Sequence, residues 1–144
     1  MILKLNGLIA RIQGMNFLAL LLIRLVIACV FIHSGYGKLT HLDKTIEYFA
    51  SLGIPMPQLQ APFAAGMEVL CGFLVLIGIA TRVAAVPLIV IMAVAIRTAK
   101  WEDVDGIMSL ADIPEFLYIV LLVVLVFNGA GKLSVDGLFG SRRG

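Results

Sequence analysis

An arginine and a glutamate lie inside stretches of the sequence that are otherwise apolar enough to cross a membrane. Arg24 lies within Met15 to Ser34, and Glu68 lies within Ala61 to Ile79. About 20 helical residues cross the hydrocarbon core of a bilayer, and an arginine at its centre costs about 2.5 to 3.5 kcal/mol on insertion scales. We therefore expect the Arg24 side chain to face the protein interior and to contact an acid or backbone carbonyl groups.

The spacing favours Glu68 as the partner of Arg24. With a rise of about 1.5 Å per residue, Arg24 lies about 13 Å from one edge of the bilayer and Glu68 about 20 Å from the same edge. An arginine side chain can cover that difference, so we predict an ion pair between the two. The pair has two interpretations: a structural contact that fixes the register of two helices, or part of a polar pocket.

A pocket at this pair would include further polar side chains. His33 and Tyr36 lie at the end of the first apolar stretch, and Glu115 lies at the start of the last one. We expect all three near one mouth of the protein, where they and the Arg24–Glu68 pair would offer hydrogen-bond donors to a quinone carbonyl beneath apolar walls. The alternative for His33 and Tyr36 is an ordinary place at the membrane interface, where amphipathic rings are common.

The elements that must position these residues are helices within a membrane. Of the 144 residues, 61% are hydrophobic and 14% are charged, whereas soluble domains contain about 25% charged residues. Four spans leave only short loops, which excludes a soluble catalytic domain, and the basic residues are too scattered for a nucleic-acid surface. We predict an all-α fold, an antiparallel four-helix transmembrane bundle with spans at 15–34, 61–79, 83–96 and 113–127.

The remaining segments are short and amphipathic or basic. Residues 1–14 alternate apolar and polar types in a helical period, which is typical of a helix on an anionic leaflet; a cleaved signal peptide is the alternative, but Arg24 interrupts its apolar region. Two glycines and Lys38 predict that the first span ends at 35–39, and residues 43–52 predict a short amphipathic helix in the first loop. The predicted organisation is an interfacial helix at 1–14, a membrane domain at 15–139 and a basic cytoplasmic tail at 140–144.

The distribution of basic residues predicts the orientation. With four spans, one side of the membrane carries six lysines and arginines and the other side carries four. Because cytoplasmic loops carry the excess, we predict a multi-pass protein of the plasma (inner) membrane with both termini in the cytoplasm. The six residues on the predicted cytoplasmic side are Lys4, Arg11, Arg82, Lys132, Arg142 and Arg143.

The sequence contains few other signals for chemistry. Cys29 and Cys71 both lie in predicted spans and form no CxxC pair, so we expect packing residues rather than a metal site or a disulfide framework. Haem-attachment, dinucleotide-binding and phosphate-binding motifs are absent from the sequence. We therefore predict no metal ligands and no nucleic-acid partner.

Several short motifs occur in an order and spacing that resemble the DoxX family of small four-helix membrane proteins. They cover roughly residues 18 to 139. The motifs are Arg24-Leu25, the S-G-x-x-K-L stretch at Ser34, Gly35, Lys38 and Leu39, Glu68 with Gly72, the I-G-I-A-T-R turn that ends in Arg82, and the G-x-G-K-L-S-x-D stretch at Gly129, Gly131, Lys132, Ser134 and Asp136.

The resemblance implies a redox setting, because the family includes the membrane subunit of a thiosulfate:quinone oxidoreductase. It makes Arg24, Glu68 and Lys38 candidates for a quinone or anion site, with quinone as the possible cofactor and a soluble or membrane redox protein as the possible partner. The chain has no cysteine pair to exchange electrons, so catalysis by the chain itself is left open. The alternatives are a non-catalytic scaffold for other membrane proteins and a transport element, and a homo-oligomer is compatible with each.

Overall fold

The computed structural model describes residues 1–131, 134, 135 and 138. The predicted tail at 140–144, including Arg142 and Arg143, lies outside the described residues, as do Lys132 and Asp136. The described part is helical and contains no β-strand, which confirms the all-α prediction. Its helices are α1 (Ile2–Gln13), α2 (Asn16–Thr40), α3 (Leu42–Ser51), α4 (Pro57–Ile77), α5 (Thr81–Ala95), α6 (Ile107–Ala111) and α7 (Pro114–Asn128).

Three helical stretches are long and apolar enough to cross a membrane: Ile2–Thr40, Pro57–Ile77 and Thr81–Asp103. The third includes α5, a π-helical turn at Ile96–Lys100 and a 3₁₀ turn at Trp101–Asp103. The apolar helix α7 has 15 residues and is therefore about 22 Å long, shorter than the hydrocarbon core of about 30 Å.

Helix α2 continues beyond the point where its glycines predicted an end. It includes Gly35 and ends at Thr40, so the predicted stop at 35–39 is wrong. Gly35 is buried, and a Cβ atom there would lie 2.7 Å from the carbonyl oxygen of Ala65. This glycine allows α2 and α4 to approach closely, as small residues do in membrane proteins, and it does not terminate the helix.

The closest packing in the fold is between α2 and α4. Gly35 lies against Ala65, and Gly72 lies against Ile32, where an added Cβ would come within 2.9 Å of the isoleucine side chain. The short turn after α4 starts at Gly78, whose φ of 77° is in the left-handed region. A side chain there would also collide with Ser134 at 2.3 Å, so the turn requires glycine.

The apolar core lies between α2, α4, α5 and α7. Helix α3, the predicted helix of the first loop, packs on α4 and buries Thr45. Helix α1 is present as predicted but has no buried residue, so its position on a lipid surface stays a prediction. Among the described residues, the largest fully buried apolar side chains are Ile27, Phe31, Val75, Leu88, Leu122 and Leu125.

Candidate functional site

Arg24 is buried at the C-terminal end of α4. Only 2% of the residue is exposed. Its Nε donates to the carbonyl oxygen of Val75 at 2.9 Å, Nη2 donates to that of Leu76 at 2.7 Å, and Nη1 donates to that of Ala130 at 3.2 Å. Arg24 thus contacts backbone carbonyl groups, and the predicted ion pair with Glu68 is wrong.

Arg24 contacts this end of α4 because the C-terminal end of a helix has unpaired carbonyl groups and attracts a cation. The last four carbonyl groups of a helix have no partner within it, and the partial negative charge at that end attracts a cation. Val75 lies seven residues after Glu68, which places it about 10 Å further along α4. Arg24 thus stabilises the last turn of α4, and it lies level with a helix end rather than with the middle of its neighbour.

Glu68 is paired with Lys38 instead. Lys38 Nζ donates to Glu68 Oε1 at 2.5 Å. The glutamate side chain is 0% exposed and the lysine side chain is 31% exposed. Helix α2 continues past Gly35 to Thr40, which places Lys38 opposite the middle of α4. The pair with Glu68 therefore depends on the same continuation of α2 that contradicts the predicted helix end.

The Lys38–Glu68 pair lines a cavity of about 460 Å³. The C-terminal half of α2, helix α3, the N-terminal half of α4, the end of α5 with its π turn, and the first turns of α7 enclose it. Its polar lining includes Lys38, Glu68, Lys100, Glu115 and Tyr118. The apolar lining includes Val30, Phe49, Leu52, Phe63, Val90, Ile91 and Met92.

The structure brings together only part of the predicted site. Glu115, Glu68 and the family position Lys38 all line the cavity. His33 is exposed, Tyr36 is 65% exposed, and neither lines the cavity. Arg24 is also absent from the lining, because it lies at the other end of α4.

Two carboxyl oxygens of the cavity residues are buried without a partner. Among the residues that the structure describes, neither Glu68 Oε2 nor Glu115 Oε2 has a hydrogen-bond partner. A buried polar atom left in this state costs about 1 to 3 kcal/mol, and native proteins rarely leave one unsatisfied. The cavity therefore has free hydrogen-bonding capacity on two of its walls.

The sequence did not single out the remaining polar lining. Tyr118 lies three residues after Glu115, a spacing that puts both on one helix face, and this signal could have found it. Its ring meets Phe31 edge to face, with centroids 6.2 Å apart. The π turn at Ile96–Lys100 brings Thr98 and Lys100 to the cavity; such turns occur frequently at functional sites, but no sequence pattern indicated this one.

The opposite end of the protein has a shallower hollow, formed where α5 begins and α7 ends. Arg82 borders it and donates a long bond of 3.4 Å to the carbonyl oxygen of Phe127. Gly129 and Gly131 of the G-x-G-K-L-S-x-D motif line this hollow. Ser134 of the same motif is also described, whereas Lys132 and Asp136 lie outside the described residues.

The cysteines and possible metal ligands are dispersed. Both cysteines are free thiols; Cys71 is buried and Cys29 is exposed. In the described ranges, no group of three or more His, Cys, Asp or Glu side chains could hold a metal ion. The buried position of Cys71 is that of a packing residue.

Comparison with known proteins identifies the family. The DoxX family model matches residues 19–101. Among similar proteins, "Uncharacterized membrane protein Rv3486" of Mycobacterium tuberculosis is 33% identical over 79% of this chain and 77% of its own length. "Inner membrane protein YphA" of Escherichia coli is 33% identical over 81% of this chain and 87% of its own length.

A third relative, "Putative oxidoreductase CatD" of Bacillus subtilis, is 32% identical over 81% of this chain and 83% of its own length. No solved structure matches the chain significantly. The family model covers more than half of the chain, and the three relatives are 32 to 33% identical over 79 to 81% of it. The chain therefore belongs to the DoxX family of membrane proteins.

Proposed function

We propose that this protein is a four-span inner-membrane protein that binds a quinone in the Lys38–Glu68 cavity, as the membrane subunit of a redox or oxidative-stress complex. The observation that carries the proposal is the buried charge pair in a mainly apolar cavity of about 460 Å³. This volume lies within the range of small-molecule sites, about 300 to 1,000 Å³.

The proposed topology adds α7 to the three long apolar stretches as the fourth span. The cavity is lined by the C-terminal parts of α2 and α5 and by the N-terminal parts of α4 and α7, which supports an antiparallel order of the four helices. Basic residues favour cytoplasmic termini, and the name of the relative YphA supports the inner membrane. The cavity then opens near the extracytoplasmic face.

A quinone suits the chemistry of the lining. Its ring and isoprenoid tail match the apolar walls, and the Lys38 ammonium group can donate a hydrogen bond to a ring carbonyl. Residues of four proposed membrane helices line the cavity, and we propose that the ligand enters it from the bilayer. Reduction of the quinone takes two electrons and two protons, and we assign the electron source to a partner protein; the name of the relative CatD is consistent with such a role.

The test is direct measurement of quinone binding. Protein purified with its native lipids should yield quinone on solvent extraction, and a short-chain quinone at 100 times its Kd should stabilise the protein by about 2.7 kcal/mol. Lys38→Met should abolish this stabilisation. Lys44→Met is the matched control, because Lys44 is exposed on α3 and does not line the cavity.

Two negative results together would contradict the proposed quinone binding. If no quinone is extracted and none raises the melting temperature, the quinone role is wrong. Reproducible crosslinking to one membrane protein would then favour the scaffold alternative.

A further inference from the structure

Two carboxyl oxygens in the wall of the cavity accept no hydrogen bond from the residues that the structure describes. Glu68 is completely buried, and its Oε1 already accepts from Lys38. A carboxylate paired with an ammonium group offers its oxygens as hydrogen-bond acceptors. The Oε2 atom of Glu68 therefore needs a donor, and no described group donates a hydrogen bond to it.

Glu115 presents the same need from the facing helix. It lies in the first turn of α7, where the partial positive charge of the helix N-terminus favours a carboxylate. Its Oε2 is buried and has no partner among the described residues. Two acid oxygens thus belong to one cavity. Lys38 is bound to the other oxygen of Glu68, and Lys100, which also lines the cavity, donates to neither unpaired oxygen.

We infer that the cavity binds the reduced, dihydroxy form of its aromatic ligand in preference to the oxidised, dicarbonyl form. A hydroquinone carries two hydroxyl donors, which the two buried carboxyl oxygens can accept. A quinone carries only acceptors, so its carbonyl oxygens would leave both acid oxygens unsatisfied. Loss of a ligand donor from a site built of buried polar groups lowers affinity strongly.

This inference rests on the proposed function, since it specifies which form of the same ligand class is held. It concerns binding alone and requires no electron transfer. The ring is the same size in both forms, so the apolar walls do not distinguish them. The discrimination comes from Glu68 and Glu115.

The experiment compares three ligands of one shape on the full-length protein in detergent without oxygen. They are tetramethyl-benzoquinone, its hydroquinone, and the dimethyl ether of that hydroquinone, which has no donors. We expect the hydroquinone to bind at least 10-fold more tightly than the quinone and the ether. Equal or tighter binding of the quinone, or an ether as tight as the hydroquinone, would overturn the inference and leave the proposed function intact; no binding of any ligand would reject both.

Variants assign the preference to the two acids. Glu68→Gln and Glu115→Gln replace an acceptor with an amide that can donate, so each should reduce the ratio of the two affinities at least 3-fold. Glu47→Gln, an exposed change on α3 outside the cavity lining, should leave the ratio unchanged. If a variant does not fold, the ether comparison on the unaltered protein still decides the inference. An unchanged ratio in both folded variants would contradict the assignment.

Discussion

Loss of Lys38 should destabilise the protein more than loss of Glu68, although the two form one pair. Glu68 is 0% exposed and the Lys38 side chain is 31% exposed. In Lys38→Met the carboxyl group is left buried without its partner, whereas in Glu68→Gln the ammonium group can turn towards solvent. The more buried member of the pair therefore determines which substitution is worse.

The distance sets the expected magnitude. Two unit charges 2.5 Å apart attract by roughly 7 kcal/mol at an effective dielectric constant of about 20. Desolvation of the acid and solvent screening of the partly exposed lysine offset most of this attraction. We expect a loss of about 3 kcal/mol for Lys38→Met, about 1 kcal/mol for Glu68→Gln, and a coupling of about 2 kcal/mol, so that the double variant loses about 2 kcal/mol instead of the additive value of about 4 kcal/mol.

The assay is unfolding in mixed micelles by added denaturing detergent, followed by far-ultraviolet circular dichroism. A second cycle, with Arg24→Met and Glu68→Gln, provides the control, because distant sites add within about 0.3 to 0.5 kcal/mol. Additive effects of the Lys38 and Glu68 substitutions would refute the reasoning. A coupling above 1 kcal/mol between Arg24 and Glu68 would also refute it, since it would restore the pair that the structure replaces.

Three further outcomes follow from the packing. Gly35→Ala should lower the free energy of unfolding by about 1 to 3 kcal/mol because the new methyl group meets a backbone carbonyl of α4 at 2.7 Å, whereas Gly37→Ala, with open space around it, should be neutral or stabilising. Arg24→Lys should lower the free energy of unfolding by about 2 kcal/mol because one ammonium group cannot reach three carbonyls. Arg82→Lys loses one bond of 3.4 Å and should cost less than about 0.5 kcal/mol. Detergent unfolding measures the two glycine variants and the two arginine variants, and equal effects of the two glycine variants, or of the two arginine variants, would contradict the geometry. Replacement of both basic residues of α1 by glutamate should reduce the burial of a spin label on its apolar face in nanodiscs of anionic lipid but not of zwitterionic lipid, and an equal loss in both would reject the leaflet prediction.

The helices were accessible to prediction because the apolar stretches are long. The predicted elements at 1–14 and 43–52 correspond to α1 and α3, and the predicted helix at 113–127 corresponds to α7. The helix ends were less accessible. Gly35 wrongly predicted the end of the first helix because a glycine has the same signature in the sequence where it terminates a helix and where it lies between two closely packed helices.

The sequence by itself determined that this chain is helical and membrane-embedded, that it has the DoxX motifs, and that a buried arginine must contact an acid or backbone carbonyls. Only the tertiary structure decided which groups Arg24 and Glu68 contact. The end of α4 supplied carbonyl groups to Arg24, and the close approach of α2 and α4 at Gly35 brought Lys38 to Glu68. The physical reason is that spacing along the chain gives the depth of a residue within a span, whereas pairing depends on how far one helix extends beside another and on which helix ends need a cation.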